Sequence, residues 1–306
     1  MSWRFLVLMA LAFTISLGRE SLSSYAEPIA QSSTQVAPKL AQAYVDYYNR
    51  ALEKYNRGDN YGAISNYNEA IRLNPDYAEA YNGRGVAKSD LGDNQGSIVD
   101  YNEAIRLKRN YAEAYFGRGW VKSLLGDNQG AISDQNEAIR LKPNLVEAYI
   151  NRGLAKYNLE DNQGALLDWN ESIRLKPDNS IAYFNIGIIK NNLGDKQGAI
   201  NVYNKAININ RYWGTRSLAE AYYNRGNTKS ALRDKYGAIT DYNEAIRIKS
   251  NHAYSYYGRG NMKDFIGDKQ GALADFRRAA QLLQQQGNTE WYQNALKRIE
   301  EIERSL

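Results

Sequence analysis

From residue 44 onward the chain keeps returning to one 34-residue pattern, and that period constrains the fold more than any other feature. Its clearest pass runs Ala80-Tyr81-Asn82-Gly83-Arg84-Gly85, then Leu91-Gly92-Asp93, then Tyr101-Asn102-Glu103-Ala104-Ile105. The frame returns at Tyr115/Gly119, Tyr149/Gly153, Tyr183/Gly187, Tyr222/Gly226 and Tyr256/Gly260, after an opening copy at Tyr47/Ala51. Self-similarity at this period marks an array whose units pack only on their neighbours. Such an array presents surface and encloses no reaction chamber. Its 306 residues therefore need not divide into globular domains.

Seven units are expected, at 44–77, 78–111, 112–145, 146–179, 180–213, 219–252 and 253–286, with one break in phase, an insertion at 214–218. Within a unit, Tyr81, Gly85, Lys88 and Leu91 keep helical spacing, and Gly92 can end this first helix in the left-handed conformation. The adjacent aspartate suits an N-cap of the second helix, and it recurs as Asp59, Asp93, Asp127, Asp161, Asp195, Asp234 and Asp268. Ile98, Tyr101, Ala104 and Ile105 give that helix its apolar face, and Pro75, Pro143 and Pro177 close several units. Residues 287–306 read as a capping helix, with Trp291, Ala295, Leu296, Ile299 and Ile302 along one face. A stack needs such a cap because its end would otherwise expose core.

These residues resemble the tetratricopeptide repeat family over 44–286, about four-fifths of the chain. Counting from 1 within each unit, position 4 is Tyr throughout and position 8 is Gly from the second unit on. Position 20 is small, as Ala63, Ser97, Ala131, Ala165, Ala199, Ala238 or Ala272. The resemblance implies an all-α, right-handed superhelical solenoid of antiparallel helix pairs, A and B, with helix A lining a groove that takes peptides or protein partners. It names no particular partner. Two positions depart from the family: position 11 is Lys in every unit, Lys54 to Lys263, and position 7 is Arg in six. The lysines are expected to lay their stems over apolar neighbours and keep their ammonium groups in water.

By the same resemblance, positions 2, 5 and 9 face the groove. That makes Tyr48, Phe116, Trp120, Ile150, Leu154, Phe184, Ile188, Tyr223 and Tyr257 candidate apolar anchors, with Glu79, Glu113 and Glu147 as an acidic row beside them. Positions 5 and 9 lie one helical turn apart and share a face. An open patch of that kind suits a partner with apolar anchors and some Lys or Arg. No unit has a basic residue at position 5 or 9, which argues against the family's carboxylate clamp.

Catalysis finds no support. His252 is the only histidine, there is no cysteine, and no phosphate-cradling or dinucleotide motif occurs. No metal, cofactor or small-molecule substrate is expected, and His252, at a unit boundary, is expected to face solvent. A net charge of +5 without runs of Lys or Arg excludes a nucleic-acid stripe.

Residues 1–26 read as a signal peptide: Arg4 precedes the apolar run Phe5 to Leu17, and Ser24-Tyr25-Ala26 places small residues at the cleavage site. Residues 27–43 read as a polar, flexible linker and the start of the first helix. The sequence thus points to an exported scaffold acting in the periplasm, an extracytoplasmic lumen or outside the cell. The alternative is a membrane-tethered structural or assembly subunit held by an uncleaved N-terminus. Membrane contact is expected only in that second case.

One further expectation comes from comparing units. Arg at position 7 accompanies Asp at position 23 in five of them, as Arg84/Asp100, Arg118/Asp134, Arg152/Asp168, Arg225/Asp241 and Arg259/Asp275. The fifth unit replaces both at once, with Ile186 and Val202. Joint replacement predicts a direct ion pair between helices A and B.

Overall fold

The computed structural model describes residues 38–213 and 217–306, so the expected signal peptide and most of the linker lie outside the described residues. Every described element is helical. The order is α1 Pro38–Asn56, α2 Asn60–Leu73, α3 Ala78–Asp90, α4 Asn94–Leu107, α5 Ala112–Leu124, α6 Asn128–Leu141, α7 Val146–Asn158 and α8 Asn162–Leu175. It continues with α9 Ser180–Asn192, α10 Lys196–Ile209, α11 Leu218–Ala231, α12 Lys235–Ile248, α13 Ala253–Phe265, α14 Lys269–Gln285 and α15 Thr289–Glu303. Odd and even helices pair as A and B of successive repeats, and α15 follows α14. The chain divides into two compact units between Leu175 and Lys176. No described helix is long and apolar enough to cross a membrane.

The A-to-B turn is built from two residues with separate tasks. Gly92, Gly126, Gly194 and Gly267 take φ between 82° and 90°, which ends helix A. The following aspartate accepts the backbone N–H three residues on, as in Asp93 Oδ1 with Gly96 N at 2.9 Å. That carboxylate lies 2.1 Å from where a Cβ on Gly96 would stand, so only glycine leaves room for the cap. The glycine row from Gly62 to Gly271 is therefore a steric consequence of the caps.

Inside each pair the core is thin and continuous. Position 8 glycines let the position 24 ring come close, as Gly85 does for Tyr101 and Gly226 for Tyr242. Ala63, Ala131, Ala165, Ala199, Ala238 and Ala272 are fully or almost fully buried beside them. In both units successive A helices touch one another more closely than successive B helices do, so each unit curves toward its A side.

The predicted Arg–Asp pairs form in all five repeats, at 2.5–2.6 Å. Each aspartate is almost wholly buried and is gripped by two guanidinium nitrogens, as Asp100 is by Nε and Nη2 of Arg84. The position 11 lysine completes the cluster at 2.8–3.0 Å, so it is an ion-pair partner and not merely a stem over apolar neighbours. Each arginine also donates through Nη1 to an asparagine of the preceding repeat, such as Arg118 to Asn102 at 2.7 Å, and stacks on its own Tyr at position 4. One side chain thus ties two helices of a repeat together and ties that repeat to its predecessor.

The two repeats without this aspartate show what the lysine does otherwise. In the fifth, Ile186 is buried and Lys190 turns to Asp195 at 2.7 Å. That ammonium, followed by the Gly198 amide, holds the Asp195 carboxyl below its usual range. In the first, Lys54 reaches Asp59 at 3.3 Å, while the Asn66 amide nitrogen donates back to the Gly62 carbonyl.

The two ends of the described array are finished differently. On α1, Asp46 and Glu53 occupy positions that are Ala80 and Ala87 in the next repeat, and Asn49, Arg50 and Glu53 are exposed. At the other end α15 lays Trp291 edge-on against Tyr254 and Tyr257, and buries Ala295 and Ile302.

Candidate functional site

The candidate anchors lie on the A helices of both units. Position 5 does not lie open there. Its side chain drops into a socket made by positions 24 and 34 of its own repeat. Tyr48 stands 5.8 Å from Tyr67 and 5.1 Å from Tyr77. In the second unit Phe184 contacts Tyr203 and Trp213 in the same way, and Tyr223 contacts Tyr242 and His252. Tyr48, Phe116 and Phe184 are only 3, 4 and 1 % exposed. These three are core residues, a correction to the expected open patch.

Position 9 differs. Leu52, Trp120 and Leu154 in the first unit are half-buried while Val86 is buried, and Ile188 is half-buried in the second, where positions 227 and 261 are asparagine. Trp120 packs its inner side on the cluster containing Val86, Tyr111 and Val121 and keeps the rest accessible. Ile150 is half-buried beside Leu154 on α7.

The acidic row is present but partly neutralised. Lys108 holds Glu79 at 2.9 Å and Lys142 holds Glu113 at 3.1 Å. Each lysine ends helix B of the repeat whose helix A carries the glutamate. Glu147 is half-buried at the same position of α7. The Lys108 ammonium also lies 4.6 Å above the Tyr111 ring. Sequence comparison at position 2 alone showed the glutamates but not the lysines, which sit 29 residues further on.

A family model described as "TPR repeat" matches residues 51–92 and 87–122, and one described as "Tetratricopeptide repeat" matches 112–145, 181–212 and 219–252. Together these segments cover more than half of the chain. The chain belongs to the tetratricopeptide repeat family. Among solved structures it resembles a tetratricopeptide repeat protein from Parabacteroides merdae, with TM-score 0.63 and 20 % identity over 84 % of this chain and 99 % of that one. It also resembles a structure of the APC/C hetero-tetramer Cut9-Hcn1, with TM-score 0.67 and 18 % identity over 85 % and 52 %. Pseudomonas aeruginosa pilF gives 0.62 and 16 % over 71 % and 96 %. Identities this low establish the shared all-α repeat fold and nothing about ligands. No curated protein matches the sequence significantly.

Within this tetratricopeptide array two further residues have ring partners. Tyr257 packs between Phe276 and Trp291, the latter on α15. His252 does not face solvent as expected. It is buried, its Nδ1 lies 2.7 Å from Ser255 Oγ, and its ring meets Tyr223 and Tyr254 at steep angles. Burial, with Lys249 adding to it, pulls its pKa down to about 4.

That shift sets a pH dependence. Below the ordinary histidine value of 6.5 the unfolded chain takes up a proton that the folded chain refuses until about pH 4. Stability from this group is therefore complete above pH 6.5 and falls as pH drops toward 4, by up to ~3 kcal/mol. Urea melts at pH 7 and 5 should show the loss, and His252→Gln should remove most of that difference. Equal slopes for both proteins would place the pH dependence elsewhere.

Proposed function

We propose that the chain is an exported interaction scaffold that binds a protein or peptide on the A-helix face of its first unit. The observation that carries this reading is the partly exposed position 9 side chains Leu52, Trp120 and Leu154, with Val86 of the second repeat buried between the first two, on the side toward which that unit curves. Family membership supports a scaffold role. Trp120 is the anchor to which most binding energy is assigned, because a large ring with one side fixed in the core loses little freedom on binding. Glu79 and Glu113 flank it and favour a partner that brings Lys or Arg, which would share or displace Lys108 and Lys142. Export rests on Arg4, the apolar run Phe5 to Leu17 and Ser24-Tyr25-Ala26.

Peptides selected from a random display library on the wild-type chain provide the test. Trp120→Ala should weaken the selected peptides by at least ~2 kcal/mol, roughly 30-fold, with thermal unfolding little changed. Equal affinity for both proteins would remove Trp120 from the site. Sequencing the mature N-terminus decides the address: a start at Glu27 supports the exported form. A retained Met1 favours the membrane-tethered subunit.

A further inference from the structure

The two units carry opposite charge. Residues 38–175 hold 17 Lys and Arg against 19 Asp and Glu, whereas residues 176–306 hold 20 against 13. Part of the excess gathers where helices A and B of the second unit turn. The first residue of helix B is Asn60, Asn94, Asn128 or Asn162 in the first unit, and Lys196, Lys235 or Lys269 in the second. Lys269 is matched by Asp264 at 2.8 Å. Lys196, Arg233 and Lys235 have no carboxylate partner among the described residues.

The same turns expose large apolar side chains. Leu193 is 66 % exposed, Tyr236 71 % and Phe265 61 %, with Leu232 and Ile266 beside them. Lys235 Nζ sits 3.8 Å above the Phe265 ring, so turns of adjacent repeats already form one surface. We infer that this turn edge of the second unit is a second docking surface, for an acidic protein segment that alternates Asp or Glu with apolar residues.

Two local penalties support the assignment. Arg233 takes φ 64° where Gly194 and Gly267 stand in the neighbouring repeats, as Glu160 takes φ 67° at the same turn of the first unit, a conformation unfavourable to either side chain. Lys196 and Lys235 put positive charge at the positive end of a helix dipole. Lys235 recovers part of this cost on the Phe265 ring, whereas Lys196 and Arg233 have no ion pair among the described residues. The three cations lie beside exposed apolar groups, which is where an acidic partner gains most from charge and burial together. The edge also carries Asp195, Asp234, Asp264 and Asp268. Those four carboxylates would oppose an anionic bilayer spread evenly across the edge. A protein segment can set its own carboxylates against Lys196, Arg233 and Lys235 only.

The experiment uses the full chain and a labelled synthetic peptide of alternating Glu and Leu or Phe, with a Gln-for-Glu version as control. Wild type should bind the acidic peptide, more weakly as salt rises from roughly 50 to 300 mM, and bind the control poorly. Arg233→Glu with Lys235→Glu should weaken binding at least ~10-fold, while Trp120→Ala leaves it unchanged. Arg233→Gly guards against unfolding as an explanation: it should melt at a higher temperature yet bind the peptide several-fold more weakly. Three outcomes overturn the inference: no binding of the acidic peptide, equal binding by the charge-reversed protein, or loss with Trp120→Ala in place of the edge variants. Edge-dependent capture of vesicles containing phosphatidylglycerol, without peptide binding, would assign the surface to lipid instead. The groove reading stands or falls separately, on the Trp120 variant and its library-selected peptides.

Discussion

Replacing Asp134 with valine should cost the first unit roughly 3–5 kcal/mol, because it leaves Arg118 and Lys122 partly buried with no counter-charge. Asp134 accepts from Arg118 at 2.6 Å and from Lys122 at 2.8 Å, and its side chain is only 4 % exposed. The fifth repeat shows how the damage can be undone. There Ile186 and Val202 take the places of arginine and aspartate, and the lysine turns to the capping aspartate. Adding Arg118→Ile to Asp134→Val should therefore recover most of the loss, with Lys122 free to reach Asp127. Urea midpoints of the wild type, both single variants and the pair give the coupling directly. If the double variant is as unstable as the sum of the singles, the two side chains do not act as a unit.

Removing residues 288–306 should be comparably severe for the second unit. Ile302 and Ala295 are fully buried, and Trp291, Leu296 and Ile299 cover the last repeat from outside. At ~1.5–3 kcal/mol for each large apolar side chain fully buried, the helix contributes roughly 5 kcal/mol. It also covers Leu283 and Phe276, which would otherwise meet water. Asn288 begins it by accepting from Trp291 N and donating to the Tyr254 hydroxyl at 2.7 Å. The truncated chain should melt earlier and aggregate on size-exclusion chromatography. A monodisperse product with an unchanged midpoint would show that α15 is not a cap. Ile302→Ala is the milder test and should cost ~2–4 kcal/mol.

Much of this was legible in the sequence because a repeat array reports the same contact several times. Joint replacement of Arg and Asp by Ile186 and Val202 locates the ion pair from sequence alone. The capping aspartates and the glycines three residues on were legible for the same reason, although the close approach of carboxylate to Cβ that demands glycine was not. Two readings failed on partners distant in sequence. Position 5 looked open because helix spacing shows only the face it shares with position 9, while the rings at positions 24 and 34 that enclose it lie 19 or more residues away. The partner of position 11 is 12 residues on, an aspartate that the position 7 arginine also holds. His252 occurs once, so no comparison between repeats could reveal its burial under Tyr223 and Tyr254.

Site-specific photocrosslinking in the source cell tests the central claim most directly. A photoreactive residue placed at 154, on the A-helix face of α7, is compared with one at 133, exposed on the opposite side of the array on α6. The scaffold reading predicts a discrete protein adduct from position 154 that disappears with Trp120→Ala, and none from position 133. Adducts from position 133 alone, or equally from both, would contradict it.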